Sequence, residues 1–524
     1  MKKIGTALCN FSLQFIKYLT LILAVLFFLC GFFLTCYAEE SQIVLTKFDN
    51  ILFSILGMLL FSGVIYLICK WVGHSPAKRK KILLGLVCFW YLFAGGILIL
   101  FSKTVPSGDP MTVYHCAERL ALGDTGVIHP TDSYLSYYPQ QMGLVAYYEI
   151  IIRVWNLLPI DLHAYHFIKC INVVLAVVMI YFQYKAVNLL FRNDTVDTIY
   201  LLLAMLHLPL LLYTSYVYGE VPSFAFFSIG LWALLHIFED TISRKKAFLY
   251  AASSILCFTA GVALRKNTLV LMIAVVLVTV LEGIRRHRPK LFLLAAFYGV
   301  CALLILPGIT RYYELRAGSD LRTGVPAMAY FAMGMQEGGR APGWYNGFNF
   351  VTYESTGLDS AATSRISRDA ISQSIDSFLK DPRYAFDFYS GKFLSQWTDG
   401  TYASIQATLA VFGGRRPFFE ELYYGKYTGI FNEYCNLLQN QIYLGLAIFA
   451  IIFAKKKTSA ISQGLLLYLP MIGAIGGLLF HTIWEANARY IFPYGLLLLP
   501  YAAYGIMLLL QSMPAFTLPH KHNC

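Results

Sequence analysis

The chain has 524 residues, of which 58% are hydrophobic and 13% charged, with 41 Lys and Arg against 29 Asp and Glu and a formal net charge of +12. This composition, with a mean hydropathy of +0.59, excludes an ordinary soluble enzyme and leaves a polytopic membrane protein. The excess of positive charge is spread over separate short loops instead of one surface, so it implies no nucleic-acid partner.

A bilayer core needs about 20 apolar residues per helix, and about twelve stretches qualify. They are residues 13–36, 51–69, 82–101, 165–190, 197–213, 219–238, 247–264, 268–284, 291–309, 439–454, 461–480 and 488–511. The first follows Lys2 and Lys3 in the manner of a signal peptide, but its run is longer than a usual h-region, so it reads as a retained signal anchor. Basic clusters at Lys2 and Lys3, Lys78–Lys81, Arg244–Lys246, Arg285–Lys290 and Lys455–Lys457 fall in alternate loops, which predicts cytoplasmic N- and C-termini. The alternation holds only if the apolar stretch 143–158 does not cross, and it is predicted to be a helix at the outer interface.

Removing the spans leaves two long outer segments, 102–142 and 310–438. The second opens with a Gly-rich aromatic stretch over 334–350, and residues 359–379 then read as an amphipathic helix with Ile371, Ile375 and Phe378 at helical spacing, ended by Asp381-Pro382. The fold expected is an all-α polytopic membrane protein with outer interfacial helices and a large extracytoplasmic loop region. It divides into a two-span extension (1–81), a membrane core (82–309) with its first outer loop at 102–142, the loop region (310–438) and a three-span C-terminal segment (439–524). Eleven cysteines are scattered without close spacing. Cys36, Cys116 and Cys435 fall near the outer side, where a disulfide is permitted but no pair is selected.

Charges at the outer ends of the spans carry the chemistry. Asp109 lies beyond the third span, Glu220 opens a later one, Arg265 and Lys266 close another, and Glu485 with Arg489 lies between the last two. Each taken singly reads as a residue marking where a helix meets water. Together, carboxylates and guanidinium groups from separate outer turns suit a transferase whose donor is an anionic lipid headgroup and whose acceptor is a hydroxyl. Trp344, Tyr345 and Trp397 offer ring faces to a sugar, or serve as interfacial anchors.

The segments SGDPMTVYHCAERLALGD (107–124) and YLSYYPQQMGLV (134–145) resemble the first outer loop of C-type membrane glycosyltransferases related to the dolichyl-phosphate-mannose protein mannosyltransferases. YGEVPSF (218–224), LRKNTLV (264–270), AMGMQEGGRAPGWYNGFN (332–349), DFYSGKFLSQWTDGTYASI (387–405) and EANARYIFPYGLLLLPYAAYG (485–505) extend the resemblance to bacterial members of that superfamily over roughly residues 82–511. It implies a bacterial plasma-membrane enzyme with an extracytoplasmic active site and inverting transfer from a polyprenyl phosphate. Asp109 matches the family's catalytic loop carboxylate and is the expected base. Arg265, Lys266 and Arg489 are the phosphate-binding candidates, and Glu485 joins the aromatic residues as a sugar contact.

Some members of that family use a divalent metal near the loop carboxylates. Glu220 is then a ligand with Asp109, or with His115 or His481; equally, Glu220 orients the acceptor, and it departs from the Asp more usual in the family. A lone interfacial histidine is more often a hydrogen-bonded structural residue. The expected function is therefore transfer of a sugar from a polyprenyl-phosphate carrier to a hydroxyl of a protein, teichoic acid, cell-wall polysaccharide or lipid. A secondary transporter or lipid flippase is the alternative that twelve spans would also suit, and a polysaccharide polymerase is a third.

Overall fold

The computed structural model describes residues 2–39, 42–131, 133–239, 241–456 and 464–512, without the side chains of residues 2–4 and 6. Of the basic residues read as topogenic, the Lys2 and Lys3 side chains and all of Lys457 lie outside the described residues. Among those described, eleven helices are long and apolar enough to cross a membrane, so the chain is a helical multi-pass protein.

The N-terminal helix α1 (Lys2–Phe33) leads into an antiparallel hairpin, β1 (Leu34–Ala38) and β2 (Val44–Phe48), which hydropathy did not predict. Helix α2 (Ile51–Gly73) starts behind an Asn50 side chain that accepts the Phe53 amide, and α3 (Pro76–Ser102) carries the Lys78–Lys81 basic cluster in its opening turns. Next come α4 (Asp109–Ala121), the single turn α5 (Tyr134–Tyr137), α6 (Met142–Trp155) and α7 (Ala164–Phe191). With 14 residues α6 is too short to span, as expected of the 143–158 stretch.

The span predicted over 197–213 is two helices, α8 (Asp194–Leu206) and α9 (Leu208–Tyr213), and it is absent from the eleven. Pro209 has no N–H to donate and its ring disfavours a continuous helix. The Tyr91 hydroxyl of α3 donates to the Ala204 and His207 carbonyls at 2.7 and 3.3 Å, so the backbone groups at the break find a partner inside the protein. The two pieces still join opposite ends of the bundle. Asp194 and Asp197 pair with Lys80 at 2.5 and 2.7 Å at one end, and the turn after α9 reaches Gln141 at the other.

Four apolar helices follow, α10 (Glu220–Ile237), α11 (Arg244–Leu264), α12 (Thr268–Arg286) and α13 (Lys290–Ala317). The last runs past its predicted end at 309, because backbone hydrogen bonding continues where hydropathy stops and Arg311 pairs with Glu314 one turn on at 3.3 Å. The region beyond holds α14 (Ala327–Gly334), α15 (Phe348–Ser355), α16 (Ser360–Lys380), α17 (Pro382–Trp397), α18 (Ser404–Ala407) and α19 (Pro417–Tyr423). Helix α16 is the amphipathic helix expected, capped by Asp359 accepting the Ala361 and Ala362 amides. Three apolar elements close the chain: α20 (Lys426–Lys455), α21 (Leu469–Ile483) and α22 (Ala488–Ser512). The loop-rich region is thus 318–425, narrower than the predicted 310–438.

Helix α22 packs against α8, α20 and α21. A Cβ at Gly505 would lie 1.7 Å from the Gly445 carbonyl oxygen of α20, so these helices meet backbone to backbone through small residues. The two-span extension is part of the same body. Helix α1 lies along α20, and Phe27 stacks on Trp397 and Tyr443 with ring centroids 4.7 and 5.3 Å apart. The ten described cysteines are free, and Cys36, Cys116 and Cys435 are each buried without a disulfide partner.

Candidate functional site

Two turns of chain meet where α10 begins and α11 ends. A Cβ at Gly219 would lie 2.5 Å from the Leu264 carbonyl oxygen, so glycine lets the turn before Glu220 lie directly on the turn before Arg265. Arg265 then sends Nη2 to within 2.9 Å of Glu220 Oε1, with the two side chains 13% and 3% exposed. Arg489, in the first turn of α22, places Nε 3.7 Å from the same oxygen and donates from Nη1 to the Tyr216 hydroxyl at 2.5 Å. Two guanidinium groups therefore share one buried carboxylate.

Tyrosines enclose the pair. The Arg265 guanidinium lies 4.6 Å from the Tyr218 ring centroid and the Arg489 guanidinium 5.4 Å from that of Tyr490, distances at which an aromatic face stabilises a cation. Gln141, just before α6, donates to the Tyr218 hydroxyl at 2.5 Å, and the Tyr490 hydroxyl donates to Glu485 Oε1 at 3.1 Å. Burial pushes the Glu485 carboxyl up to about 7; the Tyr490 hydrogen bond and Arg489 oppose that rise, and the charge of Asp109 adds to it. His481 is buried with its Nδ1 3.1 Å from the Glu485 carbonyl and its ring stacked on Tyr490, which makes it a support for this turn.

Asp109 opens α4 and is exposed. Its charge reaches Tyr138, Tyr345 and Glu485, raising each after the larger effect of burial. The structure thus gathers Asp109, Glu220, Arg265, Glu485, Arg489 and Tyr345, from five separate stretches of chain, at one end of the bundle. Two small cavities flank Arg489, about 20 Å³ beside Glu220 and Tyr494 and about 40 Å³ beside Trp344 and Asn487. Each holds on the order of one to three waters.

Three expected site residues, Lys266, Trp397 and His115, are placed elsewhere, and a fourth, Trp344, lines the cavity beside Arg489 with its ring closed off. Lys266 is exposed and lines none of these cavities: Arg265 is extended at φ −151°, and successive side chains of extended chain point to opposite sides. Trp397 is 1% exposed in the Phe27–Tyr443 stack, closed to a sugar. Trp344 is equally buried and its indole N–H donates to Ser395 Oγ at 3.0 Å, leaving Tyr345, 38% exposed, as the open ring. His115 is exposed on α4 and turned to Glu118 at 3.2 Å. With Glu220 held by Arg265, the expected residues do not fit a divalent-metal site, and no group of three His, Cys, Asp or Glu converges among the described residues.

Sequence reading missed Gln141, the tyrosine enclosure and Lys392. The Lys392 ammonium is buried beneath the site and donates to the Gly334 and Trp484 carbonyls, and burial lowers it to about 7. Its signal was positional: Phe388, Lys392 and Ser395 recur at helical spacing on the buried face of α17. No protein-family model and no curated protein matches the chain.

Proposed function

We propose that the chain is a glycosyltransferase that moves a sugar from a polyprenyl-phosphate carrier to a hydroxyl acceptor, at the extracytoplasmic face of a bacterial plasma membrane and with both termini cytoplasmic. The observation that carries this reading is the pair of partly buried guanidinium groups of Arg265 and Arg489 over the single buried carboxylate of Glu220, close to the open carboxylate of Asp109. Two cations against one anion leave net positive charge in a largely enclosed site, which favours an arriving phosphate. The resemblance to C-type glycosyltransferases supports the same assignment.

In this mechanism Asp109 accepts the proton of the acceptor hydroxyl as its oxygen bonds to the anomeric carbon. The bond from that carbon to the phosphate oxygen breaks on the opposite face, its electron pair leaves with the phosphate, and the anomeric configuration inverts. Arg265 and Arg489 stabilise the charge that develops on the leaving phosphate. Glu220 positions both guanidinium groups, and Tyr345 offers its ring to the sugar. Water-sized cavities beside Arg489 require the Tyr345 and Glu485 loops to part when substrate enters.

Release of free polyprenyl phosphate from a panel of polyprenyl-phosphate sugars, with membrane-derived acceptors, tests the reading. Wild type should release carrier from one donor, and Asp109→Asn should do so at least about a hundredfold more slowly. Equal release by the variant would remove Asp109 from the chemistry, and no release from any donor by folded protein would overturn the function.

A further inference from the structure

A second pair of arginines lies away from that site, where α6 meets the end of α13. Glu149, 3% exposed, receives Arg153 Nη2 at 2.8 Å and Arg316 Nη1 at 2.6 Å, and the Tyr313 hydroxyl donates to it as well. Each arginine also donates to the Leu120 carbonyl at 2.9 Å, in the last turn of α4, an oxygen that the Gly123 amide reaches as well at 3.1 Å. One carboxylate and one carbonyl thus hold two full positive charges. Arg153 Nη1 and Arg316 Nε have no hydrogen-bond partner among the described residues, and the Arg153 side chain is 47% exposed.

Those free edges border a groove of about 740 Å³ between α6 and α13, with Ile150, Leu304, Ile305 and Ile309 along it. Charge stands at the Arg316 end and apolar surface runs back along the membrane helix toward Leu304. Tyr312, 61% exposed, sits at the charged end, where an aromatic residue suits a headgroup boundary. This is the pattern of an amphiphile with an anionic head and apolar chains.

We propose that the groove binds an anionic phospholipid of the surrounding bilayer, its phosphate against Arg153 and Arg316 and its chains along α13. The occupant is distinct from a reacting carrier lipid. Gln141 touches the Tyr218 turn, and Arg153 lies roughly 18 Å further along the helix at 1.5 Å per residue, so a phosphate held here is out of reach of Arg265. The inference rests on the membrane fold and the groove, whatever reaction the Asp109 site performs.

The test places the full chain in phosphatidylcholine nanodiscs with and without phosphatidylglycerol, then reads lipid retention by native mass spectrometry and thermal stability in both. Wild type should retain phosphatidylglycerol and gain heat stability from it. Arg153→Gln should lower retention roughly fivefold and erase the gain. Gly308→Leu, which fills the groove without touching its charges, should do the same. Equal loss of stability in both compositions with unchanged retention would reduce the arginines to a clamp on α4 and overturn the proposal. So would displacement of the phosphatidylglycerol by undecaprenyl phosphate, which would give the groove to the carrier.

Discussion

Two clusters at opposite ends of the bundle have the same composition, one glutamate and two arginines, and differ in how far the glutamate is satisfied. At the end of α12, Glu282 accepts from Arg285 at 2.6 and 3.0 Å and from Arg286 at 3.0 Å, while the Leu465 amide donates to it at 3.3 Å and Arg286 also donates to the Phe238 carbonyl at 2.8 Å. Every charge there is held by a local, closely spaced partner. At the other end Glu220 holds Arg265 at 2.9 Å and Arg489 only at 3.7 Å, across three distant segments, with tyrosine faces and water-sized spaces around the cations. The first cluster fastens a helix end. The second keeps positive charge in reserve, the condition a phosphate site requires.

Breaking each cluster in turn should separate the two roles. Arg265→Gln should lower polyprenyl-phosphate release per folded molecule by roughly a hundredfold, as removal of one charge-stabilising donor does in other enzymes, and steady-state assay of purified protein checks it. Glu282→Gln should leave that rate unchanged and cost about 1–2 kcal/mol of stability by taking the buried carboxylate away from two partly exposed arginines, read from denaturation in detergent. If Glu282→Gln also stopped turnover at equal folded amount, the division of roles would fail.

Glu485 sharpens the comparison through pH. Its carboxyl is raised from about 4.5 to about 7, chiefly by burial, so the folded state binds the extra proton between those values. Stability should therefore fall as pH rises from about 4.5 to about 7 and level off above, since the unfolded chain ionises first. Glu485→Gln should flatten this slope; an unchanged pH profile of thermal stability would place the proton elsewhere. The smallest effect belongs to His115→Ala, a surface change expected to stay within about 0.5 kcal/mol and to leave turnover at the wild-type rate in the same assays. A large loss of activity on removing His115 would restore it to the site.

What the sequence made legible follows the range of the physics involved. Apolar length located the helices, and the helical spacing of Ile371, Ile375 and Phe378 announced α16, because a span and a helical repeat are local properties. The Glu282 cluster is legible for the same reason, with its arginines three and four residues away on one helix. Residue types at the Glu220 site were visible as outer charges, but the choice of Arg265 over Lys266 depends on an extended backbone that hydropathy does not report. Trp397 looked like a sugar platform until Phe27, from the far end of the chain, closed over it. The divided span at α8 and α9 carried its signal in Pro209, which an average over apolar residues conceals.

The central claim is that Arg265 and Arg489 form the seat of a lipid phosphate, and binding measures it without requiring turnover. Undecaprenyl phosphate should be titrated into nanodisc-embedded wild type, Arg489→Gln and Glu282→Gln, each shown to be folded. The account predicts saturable binding by wild type and Glu282→Gln and at least about tenfold weaker binding by Arg489→Gln. Equal affinity in all three proteins, or a loss in Glu282→Gln as large as that in Arg489→Gln, would contradict it.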